Sequence, residues 1–214
     1  MSLLVDGFKE AIELLISGND SVYSAIIVTV TVSSWSILIS LVLGLPLGFL
    51  LGYYQFKGKT VIKTIVDTFL AFPTVVIGLL VYTSLSQAGA FGEYNLLFTQ
   101  KAIIIGQIFL GLPIIIALTA AQVESTDKRL YLSLKGLGAK PHQILLTTLV
   151  EARFGLMTAA MTAYGRIITE IGISMMVGGN IKYHTRTITT AISLETGKGE
   201  FETVNFDNDW CENI

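Results

Sequence analysis

The stretch SAIIVTVTVSSWSILISLVLGLPLGFLLGY, residues 24–53, decides the fold, because it is mostly apolar and carries no charged side chain. About 20 mostly apolar residues are enough for a helix to cross the hydrocarbon core of a bilayer. We therefore predict a first membrane span at 24–53. Residues 65–85 and 102–123 have the same character, and they predict a second and a third span.

The composition of the whole chain agrees with this interpretation. Charged residues make up 14% and hydrophobic residues 52% of the 214 residues, whereas soluble domains carry about 25% charged residues. Cys211 is the one cysteine, which excludes an internal disulfide. His142 and His184 are far apart in the sequence and have no carboxylate cluster beside them, so we predict no metal site. An ordinary soluble domain is excluded.

A fourth span is predicted over residues 154–181, although this stretch contains Arg166 and Glu170. In a continuous helix, residues four apart share one face and can pair. Ionisable residues at membrane depth are costly, so they normally face a protein interior or a water-filled cavity. Two compatible interpretations stay open: the pair locks two helices together, or it lies beside a conduction path in which Arg166 favours an anion.

Lysine and arginine predict the orientation, because short loops rich in them stay in the cytoplasm. They gather after the first span and between the third and fourth, at Lys57, Lys59, Lys63, Lys128, Arg129, Lys135, Lys140 and Arg153. This pattern places the loop over 124–153 in the cytoplasm and the N-terminus outside. Apolar residues at helical spacing predict an amphipathic helix over 1–23, at the extracytoplasmic face. The membrane domain is predicted over 24–204.

Prolines and one glycine–lysine pair need separate interpretation. Pro46, Pro73 and Pro113 fall inside the first three predicted spans, where a proline kinks a helix. Gly58 and Lys59 resemble part of a phosphate-binding loop, but the preceding Gly52 is one residue too far away and no strand precedes them. We predict a turn with interfacial lysines there, and no nucleotide site in this chain.

The sequence of the cytoplasmic loop predicts two short helices joined by a glycine turn. Ser125 or Thr126 can cap the first helix, and Gly136 and Gly138 end it. Pro141 is placed to begin the second helix. A loop of about 30 residues with structure of its own usually has a function.

This loop resembles the cytoplasmic loop of ABC importer permeases. In that family a signature of Glu-Ala-Ala, three residues, a glycine, nine residues and Ile-x-Leu-Pro forms the coupling helix, which docks in a groove of the ATPase subunit. Gly138 matches the glycine and Ala139 the alanine that commonly follows it, whereas the positions of Glu-Ala-Ala and Leu-Pro carry other residues. The resemblance implies an ATPase-coupling loop formed by Leu132, Ser133, Leu134, Leu137, Gly138, Ala139 and Pro141.

Three later segments resemble the permeases of tungstate importers: GRIITEIG at 165–172, MMVGGNI at 175–181 and TRTITTAI at 185–192. The resemblance implies an all-α, polytopic transmembrane bundle of the type I ABC importer permease kind in the inner cell membrane. It implies a homodimer with the pathway at its interface, a cytoplasmic ABC ATPase subunit, an extracytoplasmic oxyanion-binding protein and tungstate as substrate.

The same resemblance defines what this chain is not expected to do. ATP would bind to the partner ATPase, so we expect no catalytic residue, metal or cofactor on this chain. We expect it to contact membrane lipid and to bind no nucleic acid. One alternative is a permease for molybdate or another oxyanion. Another, from a different class, is an ion-coupled secondary transporter or channel in which Arg166 and Glu170 are the working charges.

A glycine turn is predicted at the outer end of the fourth span, formed by Gly178, Gly179 and Asn180. Two interpretations stay open. The turn is a helix C-cap with a left-handed glycine, or it positions Thr185, Arg186 and Thr187 near an outer mouth, where hydroxyl and guanidinium donors suit a tetrahedral oxyanion.

The resemblance implies one more apolar span after Glu202. The chain instead ends in the acidic residues 203–214, which are too few and too charged to cross a bilayer. We expect a permease that lacks this last span and carries a disordered tail over 205–214, and hence poor stability and weak transport.

Overall fold

The computed structural model describes residues 20–126 and 134–198, and these ranges are helical, with no strand among them. The helices are α1 (Asp20–Tyr53), α2 (Lys59–Leu70), α3 (Thr74–Leu85), α4 (Gln100–Ser125), α5 (Pro141–Glu151), α6 (Arg153–Ile168), α7 (Gly172–Gly178) and α8 (Ile188–Lys198). The all-α prediction is confirmed. The predicted helix over 1–23 lies almost wholly outside the described residues, as do Leu132, Ser133 and the tail over 205–214.

The first and third predicted spans are confirmed as α1 and α4. These two helices are long and apolar enough to cross a membrane. With 34 residues, α1 is about 51 Å long at 1.5 Å per residue, which exceeds the hydrocarbon thickness of about 30 Å. Pro46 lies inside α1 and Pro113 inside α4, as the sequence predicts.

The second predicted span is not one helix, so that prediction was wrong in its continuity. Helices α2 and α3 meet at 94°, and the pair is either a broken span or a re-entrant loop. Pro73 lies in the break instead of inside a helix. Because proline lacks an N–H group and disfavours helical backbone at the residue before it, α2 ends and a new helix starts.

The fourth predicted span is also interrupted. Helix α6 ends at Ile168 before α7 begins at Gly172, and the 57° bend between α5 and α6 lies just before the predicted range. The assumption of one continuous helix through Arg166 and Glu170 was therefore wrong. The Glu170 carboxylate accepts the Ile173 amide N–H at 3.3 Å, and a side-chain acceptor for a free amide in the first turn favours a new helix start there.

The chain divides into two compact units, each of which takes part of α1 and part of α4. The described part of the first unit comprises residues 20–32, 78–106 and 169–198. The second comprises 33–77, 107–126 and 134–168. Most of the predicted coupling loop belongs to the second unit, and the predicted outer turn belongs to the first.

Close helix packing holds the second unit together. Gly44, Gly48 and Gly52 recur every four residues on one face of α1. A Cβ at Gly48 would lie 2.7 Å from the backbone oxygen of Ile116, and one at Gly52 would lie 2.8 Å from that of Ala120. Small residues at this spacing let helix backbones approach closely inside a membrane, so α1 and α4 pack backbone to backbone.

Candidate functional site

The glycine turn of the predicted coupling loop lies where the sequence predicts it. Gly138 has φ +77°, its N–H donates to Lys135 O at 3.1 Å, and the Ala139 N–H donates to Leu134 O at 3.0 Å. Leu137 lies at the apex and its side chain is 84% exposed. The turn, which Gly138 closes in a left-handed conformation, thus presents one large apolar side chain to the surroundings.

The helix after this turn is firmly anchored in the second unit. Pro141 begins α5, as predicted, and the Lys140 N–H donates to Gln143 Oε1 at 2.8 Å, which satisfies the N-terminus of the helix. At the far end of α5, Ala152 is buried against Phe49 and Val123. The loop therefore combines an exposed apex with a packed base.

Arg166 and Glu170 lie in different surroundings. Arg166 is exposed in the last turn of α6, whereas Glu170 is 3% exposed in the break before α7. The backbone oxygen of Glu170 also accepts from Ser174 Oγ at 3.4 Å and Thr189 Oγ1 at 3.2 Å. Glu170 thus organises the start of α7, and its pairing with Arg166 beside a conduction path stays a prediction.

One face of α6 is exposed and mixed in character. It carries Met157, Thr158, Met161, Thr162, Gly165 and Arg166. The hydroxyls of Thr158 and Thr162 donate to backbone oxygens four residues earlier. An arginine side chain that faces lipid is costly, so the end of this face that carries Arg166 is better suited to water or protein than to lipid.

The predicted outer turn begins as a helix C-cap. Helix α7 ends at Gly178, and Gly179 follows with φ +69°, so the C-cap interpretation is confirmed. Asn180 continues in the left-handed region with φ +51°. A Cβ at Gly179 would lie 2.6 Å from Phe98 Cδ1, so the position excludes side chains both by backbone conformation and by space.

The threonines of this turn are buried and hydrogen-bonded to one another and to backbone. Thr185 Oγ1 donates to Gly178 O at 2.5 Å and accepts the Ile181 N–H at 3.0 Å. Thr187 and Thr190 form a reciprocal cap at the start of α8, in which the N–H of each donates to the hydroxyl of the other. These hydroxyls hold the turn, and their role as donors to an oxyanion stays a prediction.

Arg186 differs from the threonines beside it. Within the part of the chain that the structure describes, its Nε atom is buried and has no hydrogen-bond partner, and the same holds for Asn180 Oδ1. A guanidinium group is a good donor to oxyanions. Of the predicted outer donors, Arg186 therefore keeps an N–H that the turn itself does not use.

The structure also shows a charged cluster that the sequence interpretation missed. Lys59, predicted as an interfacial lysine in a turn, is 8% exposed and pairs with Glu124 at 2.9 Å, and Lys63 pairs with the same carboxylate at 2.5 Å. We call Lys59, Lys63 and Glu124 the lysine clasp. The signal for it was present, because all three residues lie at ends of spans that the charge pattern assigns to one membrane face.

Comparisons with known proteins cover most of the chain. Residues 44–196 match the family described as binding-protein-dependent transport system inner membrane component. The tungstate uptake system permease protein of Campylobacter jejuni is 52% identical over 201 residues, which are 94% of this chain and 84% of that protein. The corresponding tungstate permease of Peptoclostridium acidaminophilum is 34% identical over 94% of this chain and 88% of its own length. The molybdenum transport system permease protein of Escherichia coli is 26% identical over 85% of this chain and 83% of its own length.

Proposed function

The chain belongs to the binding-protein-dependent transport system inner membrane component family, and from this premise we propose that it is the permease subunit of an ATP-driven tungstate importer. It is a multi-pass protein of the cell membrane and a transport subunit, not an enzyme. The similarity to tungstate permeases along nearly the whole chain carries the proposal. Membership of this family also argues against the alternative of an ion-coupled transporter or channel.

The exposed glycine turn supports a docking contact with an ATPase subunit. Leu137 offers an apolar side chain on a turn whose following helix is packed into the second unit. Free energy is gained when a partner removes an exposed apolar side chain from water, so the side chain of Leu137 is suited to a pocket on a partner. ATP would be bound and hydrolysed on the partner, and the turn would pass the resulting movement to the permease.

The exposed face of α6 supports a homodimer with the pathway between the two copies. Arg166 makes its end of this face a poor surface for lipid. A second copy across this face would place two such surfaces around one aqueous path. The guanidinium group of Arg166 would then favour an anion inside that path.

Tungstate is the substrate that the similarity favours, and molybdate is the runner-up. Both are tetrahedral dianions, and an extracytoplasmic binding protein would deliver either one. The relatives named for tungstate are more similar to this chain than the one named for molybdenum. No bond of the substrate is made or broken during transport.

Uptake of labelled tungstate tests the proposal. Cells lacking their own permease would receive this chain together with the cognate binding protein and ATPase, and each component would be omitted in turn. We expect uptake only with all three, and weaker inhibition by excess molybdate than by excess unlabelled tungstate. Uptake without the ATPase would contradict an ATP-driven importer, and preferred uptake of molybdate would favour the runner-up.

A further inference from the structure

The lysine clasp joins three helices through one carboxylate. Lys59 Nζ lies 2.9 Å from Glu124 Oε1, and it also donates to the backbone oxygen of Gly52 at 3.0 Å. Lys63 Nζ donates to Glu124 Oε2 at 2.5 Å. The clasp therefore connects the end of α1, two turns of α2 and the end of α4, and both oxygens of Glu124 are used.

Burial makes this arrangement more than a surface ion pair. The side chain of Lys59 is 9% exposed, against 29% for Glu124 and 35% for Lys63. A buried ammonium group is tolerated only when it is paired and hydrogen-bonded. The Gly52 oxygen is one of the last carbonyls of α1, which lack a partner within the helix, so Lys59 satisfies a helix end and a carboxylate at once.

Helix α2 is attached to the rest of the second unit by the clasp and by apolar packing of one side chain. Its apolar residues Val61, Ile62, Ile65 and Phe69 are exposed. Val66 packs against the buried cluster formed by Leu51, Ile116 and Ala120. Apart from that packing, the clasp holds α2 through the polar side of the helix.

The position of Glu124 links the clasp to the coupling loop. Glu124 is the second-to-last residue of α4, directly before the segment 125–153 that contains the exposed Leu137 turn. The other end of this segment is fixed where Ala152 packs against Phe49 and Val123. Both ends of the loop are thus attached to the same unit, one by charge and one by apolar packing.

We propose that the lysine clasp is the positioning element that makes α2 follow the movement of the cytoplasmic loop together with α1 and α4. This inference rests on the proposed function. With the clasp closed, a displacement of the loop by the ATPase moves the three helices together. With the clasp open, the loop still moves α1 and α4 through the Ala152 packing and the continuous chain, but α2 no longer follows, so ATP hydrolysis produces less transport.

The experiment measures ATP hydrolysed per tungstate transported, in proteoliposomes that contain the full complex with binding protein and ATPase. Glu124→Gln keeps the size of the side chain and removes its charge. Lys63→Met removes one partner and Lys63→Arg keeps the pair. We expect Glu124→Gln, which weakens both pairs, to raise the ratio about tenfold, within the range typical of coupling between two sites. Lys63→Met leaves the Lys59 pair in place and should raise the ratio about fourfold, as expected for a partly exposed pair. Lys63→Arg should leave it unchanged.

Lys57→Met is the matched control, because Lys57 is an exposed lysine two residues before Lys59 and has no ion pair in the described structure. It makes the same charge change nearby, and the ratio should stay within about twofold, since exposed charges contribute little. A ratio raised equally by Lys57→Met would overturn the inference, because it would indicate a general effect of charge.

Further outcomes separate the possible failures. If Glu124→Gln does not assemble, Lys63→Met decides, because Lys63 is partly exposed and its loss disturbs the fold less. A wild-type ratio in an assembled Lys63→Met complex overturns the clasp proposal and leaves the proposed function intact. If the unsubstituted complex neither transports tungstate nor hydrolyses ATP, the proposed function fails and the clasp proposal fails with it.

Discussion

Two polar clusters of this protein, the lysine clasp and the turn over residues 178–190, are built from different chemistry. The clasp uses three charged side chains that lie up to 65 residues apart in the sequence. The turn uses threonine hydroxyls, which bond mostly to groups within a few residues. The turn thus fixes local backbone conformation, whereas the clasp connects separate helices.

This difference shows how residue type misleads when a function is inferred from sequence. The hydroxyls of Thr185 and Thr187 suggest donors for an oxyanion, yet the structure uses them to hold the turn. Lys59 suggests an ordinary interfacial lysine, yet it is buried in an ion pair. We therefore expect changes in the turn to affect stability first, and changes in the clasp to affect coupling first.

The largest expected effect comes from Gly179→Ala in the turn, with Gly58→Ala before the clasp as its matched control. Both glycines have positive φ, so both substitutions carry backbone strain of about 1–2 kcal/mol. At Gly179 the new Cβ also meets the ring of Phe98, whereas nothing lies within 4 Å at Gly58. We expect a clearly larger fall in melting temperature for Gly179→Ala, measured on the purified protein. Equal falls would show that the turn is not tightly packed.

A smaller loss of stability is expected for Thr185→Val. The change keeps the shape of the side chain but leaves Gly178 O and the Ile181 N–H without their partner, which costs about 1–3 kcal/mol. Thr83→Val removes an exposed hydroxyl in the same unit and should leave the melting temperature almost unchanged. If Thr185→Val abolishes tungstate uptake without any loss of stability, the hydroxyl acts on the substrate and the comparison is wrong.

The smallest effect on stability is expected for Lys63→Met in the clasp. The pair with Glu124 is partly exposed, and such pairs contribute about 0.2–1 kcal/mol. The melting temperature should therefore change little, although we expect the ratio of ATP hydrolysed to tungstate transported to rise about fourfold. A fall as large as that of Thr185→Val would assign the clasp to folding and remove the contrast between the two clusters.

Local signals in the sequence predicted much of this structure. The uncharged run of α1, the apolar run of α4 and the Gly138–Pro141 turn follow from residues that are neighbours in the chain. A kink at Pro73 was predicted, but the 94° break there and the interruption at Glu170 were missed, because each run was taken as one span on its apolar character. The orientation of the chain in the membrane stays a prediction.

The candidate site was harder to predict than the helices. Leu137 and Gly138 were identified from spacing and resemblance, since a glycine turn is a local feature. The pairing of Lys59 with Glu124 depends on how α1, α2 and α4 pack, and no local rule gives that contact. The buried state of Thr185 likewise depends on packing, because an exposed hydroxyl and a buried one look the same in a sequence.

Gly138→Asp tests most directly whether the exposed turn transmits ATP hydrolysis to this permease, as we propose. Gly138 has φ +77° and open space around it, so the substitution should disturb the turn and its docking while leaving the helices folded. The measurement is ATP hydrolysis by the assembled complex with and without the tungstate-loaded binding protein. We predict that the permease remains inserted and that the stimulation is lost. Unchanged stimulation would contradict the assignment of this turn as the coupling element.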